Sequence, residues 1–286
     1  MLRILRNFLP RPGNSTRPLL RFLSYLDILG LFQRDPFGNS MFLKRLVIFT
    51  AGWPTYWRIA VANKLKIEGI EYLEDLPDRN VFFISNHQTY FADVISFYHI
   101  FSNVKWGFGK QLFPLYLFAP RAYIFYIAAK ETMKAGIIPK IFSLAGAILV
   151  ERSWRAEGVN VKREVDRSAG DSVSRALKEG WVISFPQGTT SPYAPIRKGT
   201  AHIILDNKPI VVPVVINGFR RAFNKTGLKY KRRNTTLSVK FKKPLHIDEN
   251  STLEEVTKTV EQIIEQNMPE MIAEWNALKE MAKRGE

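Results

Sequence analysis

His87 and Asp93 are the residues of this sequence whose types and spacing suit them to move a proton. They lie at the end of Val81-Phe82-Phe83-Ile84-Ser85-Asn86-His87-Gln88-Thr89-Tyr90-Phe91-Ala92-Asp93. Val81 to Ile84 is apolar enough to read as a buried strand, whereas Val94 to Phe101 reads as a helix. On one continuous helix a spacing of six would put the two side chains about 240° and about 9 Å apart, so they meet only across a turn. A turn that sets the carboxylate on one imidazole nitrogen fixes the tautomer and leaves the other nitrogen as a general base toward a hydroxyl. The competing reading is that Asp93 caps the helix and His87 is a satisfied loop residue.

A second apolar strand, Trp181-Val182-Ile183-Ser184-Phe185, breaks into Pro186-Gln187-Gly188-Thr189-Thr190-Ser191, with Arg197-Lys198-Gly199 beyond it. The backbone of Gly188 and Thr189 at a strand end is a candidate anion cradle. An Asn-His-x-x-x-x-x-Asp at one strand end and a Phe-Pro-x-Gly-Thr loop at another resemble the 1-acylglycerol-3-phosphate acyltransferase family, a branch of the lysophospholipid acyltransferases. The resemblance runs from about Lys64 to Val214 and includes two further blocks in order, Gly146-Ala147-Ile148-Leu149-Val150-Glu151-Arg152 and Ile210-Val211-Val212-Pro213-Val214. Two positions depart from the family pattern. One residue more than usual separates His87 from Asp93, which a local bulge must absorb. Phe-Pro-Glu-Gly-Thr-Arg appears here as Phe185-Pro186-Gln187-Gly188-Thr189-Thr190, so a carboxylate and a guanidinium are both replaced.

The resemblance implies an α/β fold, a central mixed sheet flanked by helices, with an N-terminal membrane-associating helical hairpin. It implies transfer of an acyl chain from acyl-coenzyme A or acyl carrier protein to a lysolipid hydroxyl, by default that of 1-acylglycerol-3-phosphate to give phosphatidic acid. His87 oriented by Asp93 would be the base. Arg152 would contact the acceptor phosphate, Gln187, Gly188, Thr189 and Thr190 would line the acceptor site, and Arg197 and Lys198 would add cations. Gln187 and Thr190 leave room for another lysolipid acceptor. The rival from another class is a non-catalytic lipid-binding protein on the same fold.

Composition narrows the classes. No cysteine means no disulfide, no thiolate nucleophile and no cysteine metal site, and four scattered histidines offer no metal spacing. No cofactor is expected. With no cysteine and no serine in a Gly-x-Ser-x-Gly elbow, direct transfer is favoured over an acyl-enzyme. The formal net charge of +16 calls for an anionic partner. Nucleic acid is disfavoured, because no helix-turn-helix, zinc-finger or RNA-recognition pattern is visible and the aromatics sit inside apolar runs. An anionic bilayer, at the cytoplasmic face of the cell membrane, suits both the charge and the apolar residues.

The elements that must position this chemistry follow in order. Residues 1–63 read as an amphipathic hairpin and 64–286 as the α/β domain. The hairpin comprises Pro18–Phe32 and Met41–Ala62, joined by a turn at Asp35–Ser40, and neither segment is long and uncharged enough to span a bilayer. Trp53, Tyr56 and Trp57 would lie at headgroup level, with Lys44, Arg45 and Arg58 near lipid phosphates. An ordinary core-covering hairpin is the alternative. Lys64–Leu73 alternates as an edge strand, Lys105–Lys110 is strand-like, and Gln111–Ala129 reads as a hydrophobic flap over an acyl pocket or as a buried helix. Short helices at Pro139–Gly146 and Thr200–Leu205, an exposed helix over Glu157–Lys178 and a central strand at Ile210–Ile216 complete the layers. Leu237–Lys242 reads as an edge strand, and a C-terminal helix from Thr252 breaks near Pro269. The basic cluster Arg220–Arg233 is either a solvated run or a surface for phosphates.

Overall fold

The computed structural model describes residues 33–284 except 135, 152–154, 157–158, 161–166 and 249. The expected helix at Pro18–Phe32 lies outside the described residues. The chain proceeds through α1 (Met41–Tyr56), a π-helical turn (Trp57–Val61), β1 (Lys64–Glu68), α2 (Glu71–Glu74), β2 (Val81–Ser85), α3 (Ala92–Lys105) and a 3₁₀ turn (Pro114–Phe118). It continues with β3 (Ile124–Ala129), α4 (Lys130–Lys134), α5 (Ile137–Ser143), β4 (Ala147–Val150), the two-residue strands β5 (Arg155–Ala156) and β6 (Val159–Asn160), α6 (Arg167–Glu179) and β7 (Trp181–Ser184). Then come α7 (Lys198–Asn207), β8 (Ile210–Asn217), α8 (Phe219–Ala222), β9 (Thr236–Phe241), α9 (Leu253–Ile263) and α10 (Pro269–Arg284).

Seven strands form one mixed sheet in the order β1-β9-β8-β2-β7-β3-β4, a helix-flanked α/β architecture. β2 lies between β7 and β8, parallel to both, with Phe83 opposite Ile183 and Val212. Five residues buried on both faces make it a continuous apolar run. Its alternate side chains feed two cores: Val81 and Phe83 pack with Phe97, Phe101 and Trp181, while Phe82 and Ile84 pack with Val173, Leu177, Ala201 and Val260. The parallel pairing brings the C-terminal ends of β2, β7 and β8 to one edge of the sheet, where α/β proteins place their ligand sites.

Three expectations are corrected here. Leu237–Lys242 is not an edge strand, because β1 pairs with β9 on its outer side and takes the edge. Lys105–Lys110 is not a strand: α3 stops at Gly107, whose φ is +74°, and Asn103 Nδ2 donates to the carbonyls of Phe108, Gly109 and Gln111. The side chain of a buried asparagine satisfies the backbone that a ladder would have satisfied. Within Gln111–Ala129, residues 124–129 are β3, inside the sheet, so only the 3₁₀ portion remains outside it.

Lys44 is the fourth correction. Its side chain is buried, Nζ donates to Ile124 O at 2.8 Å and stands 4.0 Å from the Phe125 ring centre. It therefore ties α1 to the sheet and does not face lipid. Burial lowers its pKa to about 7, against a smaller opposing effect of Asp35. The contact also explains Gly146, where a Cβ would stand 2.5 Å from both Lys44 Nζ and Ile124 O. α1 runs through Pro54, with Thr55 Oγ1 reaching back to Ala51 O. Among the described residues no helix is long and apolar enough to cross a membrane.

Candidate active site

β2 hands the chain to the site through Asn86. Its amide donates to Ile216 O at 2.9 Å and accepts from Ile216 N at 2.8 Å, so a side chain continues the pairing between β2 and β8 for one more rung. His87 follows with its backbone fixed.

The turn then closes on Asp93. Its Oδ2 accepts from Gln88 N at 2.6 Å and Thr89 N at 2.9 Å, and its Oδ1 accepts from Thr89 Oγ1 at 2.7 Å. His87 Nδ1 lies 2.9 Å from the same Oδ2. An oxygen already accepting two N–H groups can only accept again, so the imidazole proton sits on Nδ1 and the Nε2 lone pair is available. Nε2 bonds to none of the described residues, and the His87 side chain is 12% exposed while Asp93 is fully buried. Asp93 is not the helix N-cap, which is Phe91. It stands one position inside the first turn and gathers the preceding loop.

The additional residue between histidine and aspartate is absorbed by a neighbouring loop. Tyr90 N donates to Lys225 O and Phe91 N to Thr226 O, both at 3.0 Å. That loop is itself wound around Asn224 Oδ1, which accepts from Thr226 Oγ1, Leu228 N and Lys229 N. Part of the basic cluster in the sequence thus serves as scaffold for the turn between His87 and Asp93.

β7 delivers the facing wall. The Phe185 ring stacks on the His87 imidazole with centres 3.9 Å apart and planes 21° from parallel. Beyond it the Pro186–Thr190 loop turns through Gly188 at φ +63°. Gly188 N–H closes on Phe185 O, while the N–H groups of Thr189 and Thr190 meet no acceptor among the described residues. The structure places Gln187 behind the loop, 1% exposed, with Nε2 donating to Gln266 Oε1 at 2.8 Å and Ala194 O at 3.1 Å. Arg197 N–H ties back to Pro186 O, and Lys198 Nζ faces Glu254 at 3.4 Å. Arg152 lies outside the described residues.

Arg220 joins this group although the sequence offered it only as one of a basic run. Its backbone N–H donates to Gln88 Oε1 and its Nη2 to Thr190 O, so it spans the histidine loop and the Thr190 loop. Burial lowers its pKa, opposed by Asp93 and Tyr193. Gly227 was likewise missed, and Asn86 entered only as the first letter of the Asn-His pattern, with no role given to it. No local pattern states what these two do, because each acts through a segment far away in sequence.

Two cavities of about 200 Å³ and 50 Å³ adjoin the turn, sharing Ala51, Thr55, Ile95 and Phe142 in their walls. The larger reaches Ala92 and Gly227, and the smaller runs between α1 and α3 to Tyr98 and His99. Leu117, from the segment read as a flap, lines the smaller one. His99 is bonded to Thr55 Oγ1 and Tyr116 Oη, and burial drives its pKa down to about 3, so it is a neutral tie between α1, α3 and the 3₁₀ turn. Among the described residues no group of three metal-ligating side chains converges.

Comparison with known proteins adds to this geometry. The Acyltransferase family profile matches residues 64–217. A 1-acyl-sn-glycerol-3-phosphate acyltransferase of Limnanthes alba is 25% identical over 148 residues, covering 50% of each chain. One of Cocos nucifera is 29% identical over 126 residues, 43% of this chain and 38% of that one. The chain spans about half or less of the length of the curated relatives it matches. The crystal structure of the 1-acyl-sn-glycerophosphate acyltransferase PlsC from Thermotoga maritima superposes with a TM-score of 0.47 at 21% identity, covering 81% of this chain and 80% of that one.

Proposed function

The chain belongs to the acyltransferase family, and from that premise we propose that it transfers a fatty acyl group from a thioester donor to the hydroxyl of a lysolipid, 1-acylglycerol-3-phosphate before others. The observation that carries this is the 2.9 Å contact between His87 Nδ1 and Asp93 Oδ2, with Nε2 left to face a substrate.

In this reading Nε2 takes the proton of the acceptor hydroxyl as its oxygen attacks the thioester carbonyl. The carbonyl oxygen becomes an oxyanion, for which the N–H groups of Thr189 and Thr190 are candidate donors. Collapse of the adduct breaks the carbon–sulfur bond, and the departing thiolate takes the proton back from Nε2. Asp93 does not change protonation. It holds the imidazole in one tautomer and steadies the imidazolium formed in passing. Phe185 fixes the plane of the ring. The cavity beside Ala92 and Gly227, continued by the smaller one between α1 and α3, would receive the acyl chain.

A membrane surface is the natural place for such a reaction, since the acceptor and product are lipids. Trp53, Trp57, Phe42, Leu43 and Leu46 are exposed on α1 and the π-helical turn, and Phe118 of the 3₁₀ turn meets Phe49 and Trp53 with ring centres 5.7 and 5.8 Å apart. These residues make one apolar patch, suited to interfacial docking. Purified protein incubated with acyl-coenzyme A or acyl carrier protein and a panel of lysolipids tests the reading. Acylated product with wild type and none with His87→Ala is the expected result; no product from any donor and acceptor pair would leave a lipid-binding protein.

A further inference from the structure

Arg220 occupies a position that needs a ligand. One N–H of its guanidinium goes to Thr190 O, one face lies 5.9 Å from the centre of the Trp275 ring, and its other side-chain donors meet no acceptor among the described residues. Among those residues it forms no ion pair with a carboxylate, although its charge lies within the field of Asp93. A half-buried guanidinium has given up much of its hydration, and an anion is the partner that restores the lost interaction. The position is as telling as the chemistry. Arg220 bridges Gln88, next to the proposed base, and Thr190, the residue that stands where the related loop pattern has an arginine.

We propose that Arg220 is the residue that takes the phosphoryl group of the acceptor lipid, supplying from α8, the short helix after β8, the guanidinium that the Pro186–Thr190 loop lacks. The proposal rests on the acyltransferase reading and names the headgroup contact within it. In 1-acylglycerol-3-phosphate the reacting hydroxyl and the phosphate ester are on adjacent carbons, so a base at His87 and a cation held on Thr190 O, within the field of Asp93, address the same small headgroup. A planar fork with free N–H groups matches a phosphate monoester in two-point contact.

The test measures equilibrium binding and turnover of two acceptors in detergent micelles, 1-acylglycerol-3-phosphate and the neutral 1-monoacylglycerol, for wild type and Arg220→Gln. The expected result is that binding of the phosphate lipid weakens about 10- to 100-fold while binding of the neutral lipid is unchanged, the range for a charge-assisted contact. Should the glutamine variant not fold, Arg220→Lys keeps a charge in the same space and is expected to lose several-fold for the phosphate lipid alone, because an ammonium lacks the planar fork. Equal losses for both lipids, no loss for either, or a wild type without preference for the phosphate lipid would overturn the proposal. A wild type that binds the phosphate lipid through Arg220 yet forms no acylated product would instead overturn the acyltransferase reading and leave this contact standing.

Discussion

Gly227 packs so closely on Ala92 that a Cβ at Gly227 would lie 2.6 Å from the Ala92 backbone nitrogen and 3.0 Å from Thr89 Oγ1. Its φ of +82° is also one that side chains rarely adopt. Gly227→Ala is therefore expected to cost about 1–3 kcal/mol of stability. It would push the histidine turn outward and lower turnover by up to about 100-fold. Thermal unfolding together with acyl-transfer rates below the transition checks both parts.

The dyad itself separates chemistry from folding. His87→Ala is expected to reduce kcat by roughly 10² to 10⁴ at a smaller cost in stability than a change at Asp93, because the side chain makes one hydrogen bond and one ring stack, on Phe185. Asp93→Asn is expected to lose a similar factor and also about 1–3 kcal/mol of stability, since an amide cannot accept from Gln88 N, Thr89 N, Thr89 Oγ1 and His87 together. Comparing the two variants by calorimetry and by rate distinguishes the base from the residue that organises its loop.

Lys44 gives the stability a pH dependence of known sign. Its pKa falls from an ordinary 10.5 to about 7 in the folded protein. Between those values the unfolded chain holds one proton more than the folded one, so this group makes stability rise with pH from about 7 to about 10.5, and contributes no slope below 7. Lys44→Met is expected to remove that contribution. The unfolding free energy of wild type relative to the variant then grows as pH rises, by up to about 1.4 kcal/mol per pH unit. A difference that stays flat from pH 7 to pH 10 would refute the buried neutral lysine.

Trp57 and Phe118 are each 62% exposed on the apolar patch of α1 and the 3₁₀ turn. If this face enters the lipid interface, Trp57→Ser and Phe118→Ser should each weaken partitioning onto anionic vesicles about tenfold or more, the range for exposing one large apolar side chain. Vesicle flotation reads the effect, and unchanged unfolding temperatures assign it to the surface.

Much of this architecture was legible in the residues. The apolar runs Val81–Ile84, Trp181–Ile183 and Ile210–Ile216 are strands because nothing in them tolerates water on either face, and the breaks after them are loops because glycine, proline and polar residues follow. The histidine and aspartate spacing demanded a turn, and the turn exists. Lys105–Lys110 misled because alternation alone does not report an Asn103 that collects the backbone of a loop.

The sequence by itself determined which residues could do the chemistry and that they stand at strand ends, since residue type and local periodicity are properties of neighbours along the chain. Only the tertiary structure decided that Lys44 is buried under Gly146, that the loop around Asn224 holds the histidine turn, and that Arg220 reaches Thr190. Those contacts join segments far apart in sequence. A hydrophobic pattern states that a face must be covered, and the order of strands in the sheet settles what covers it.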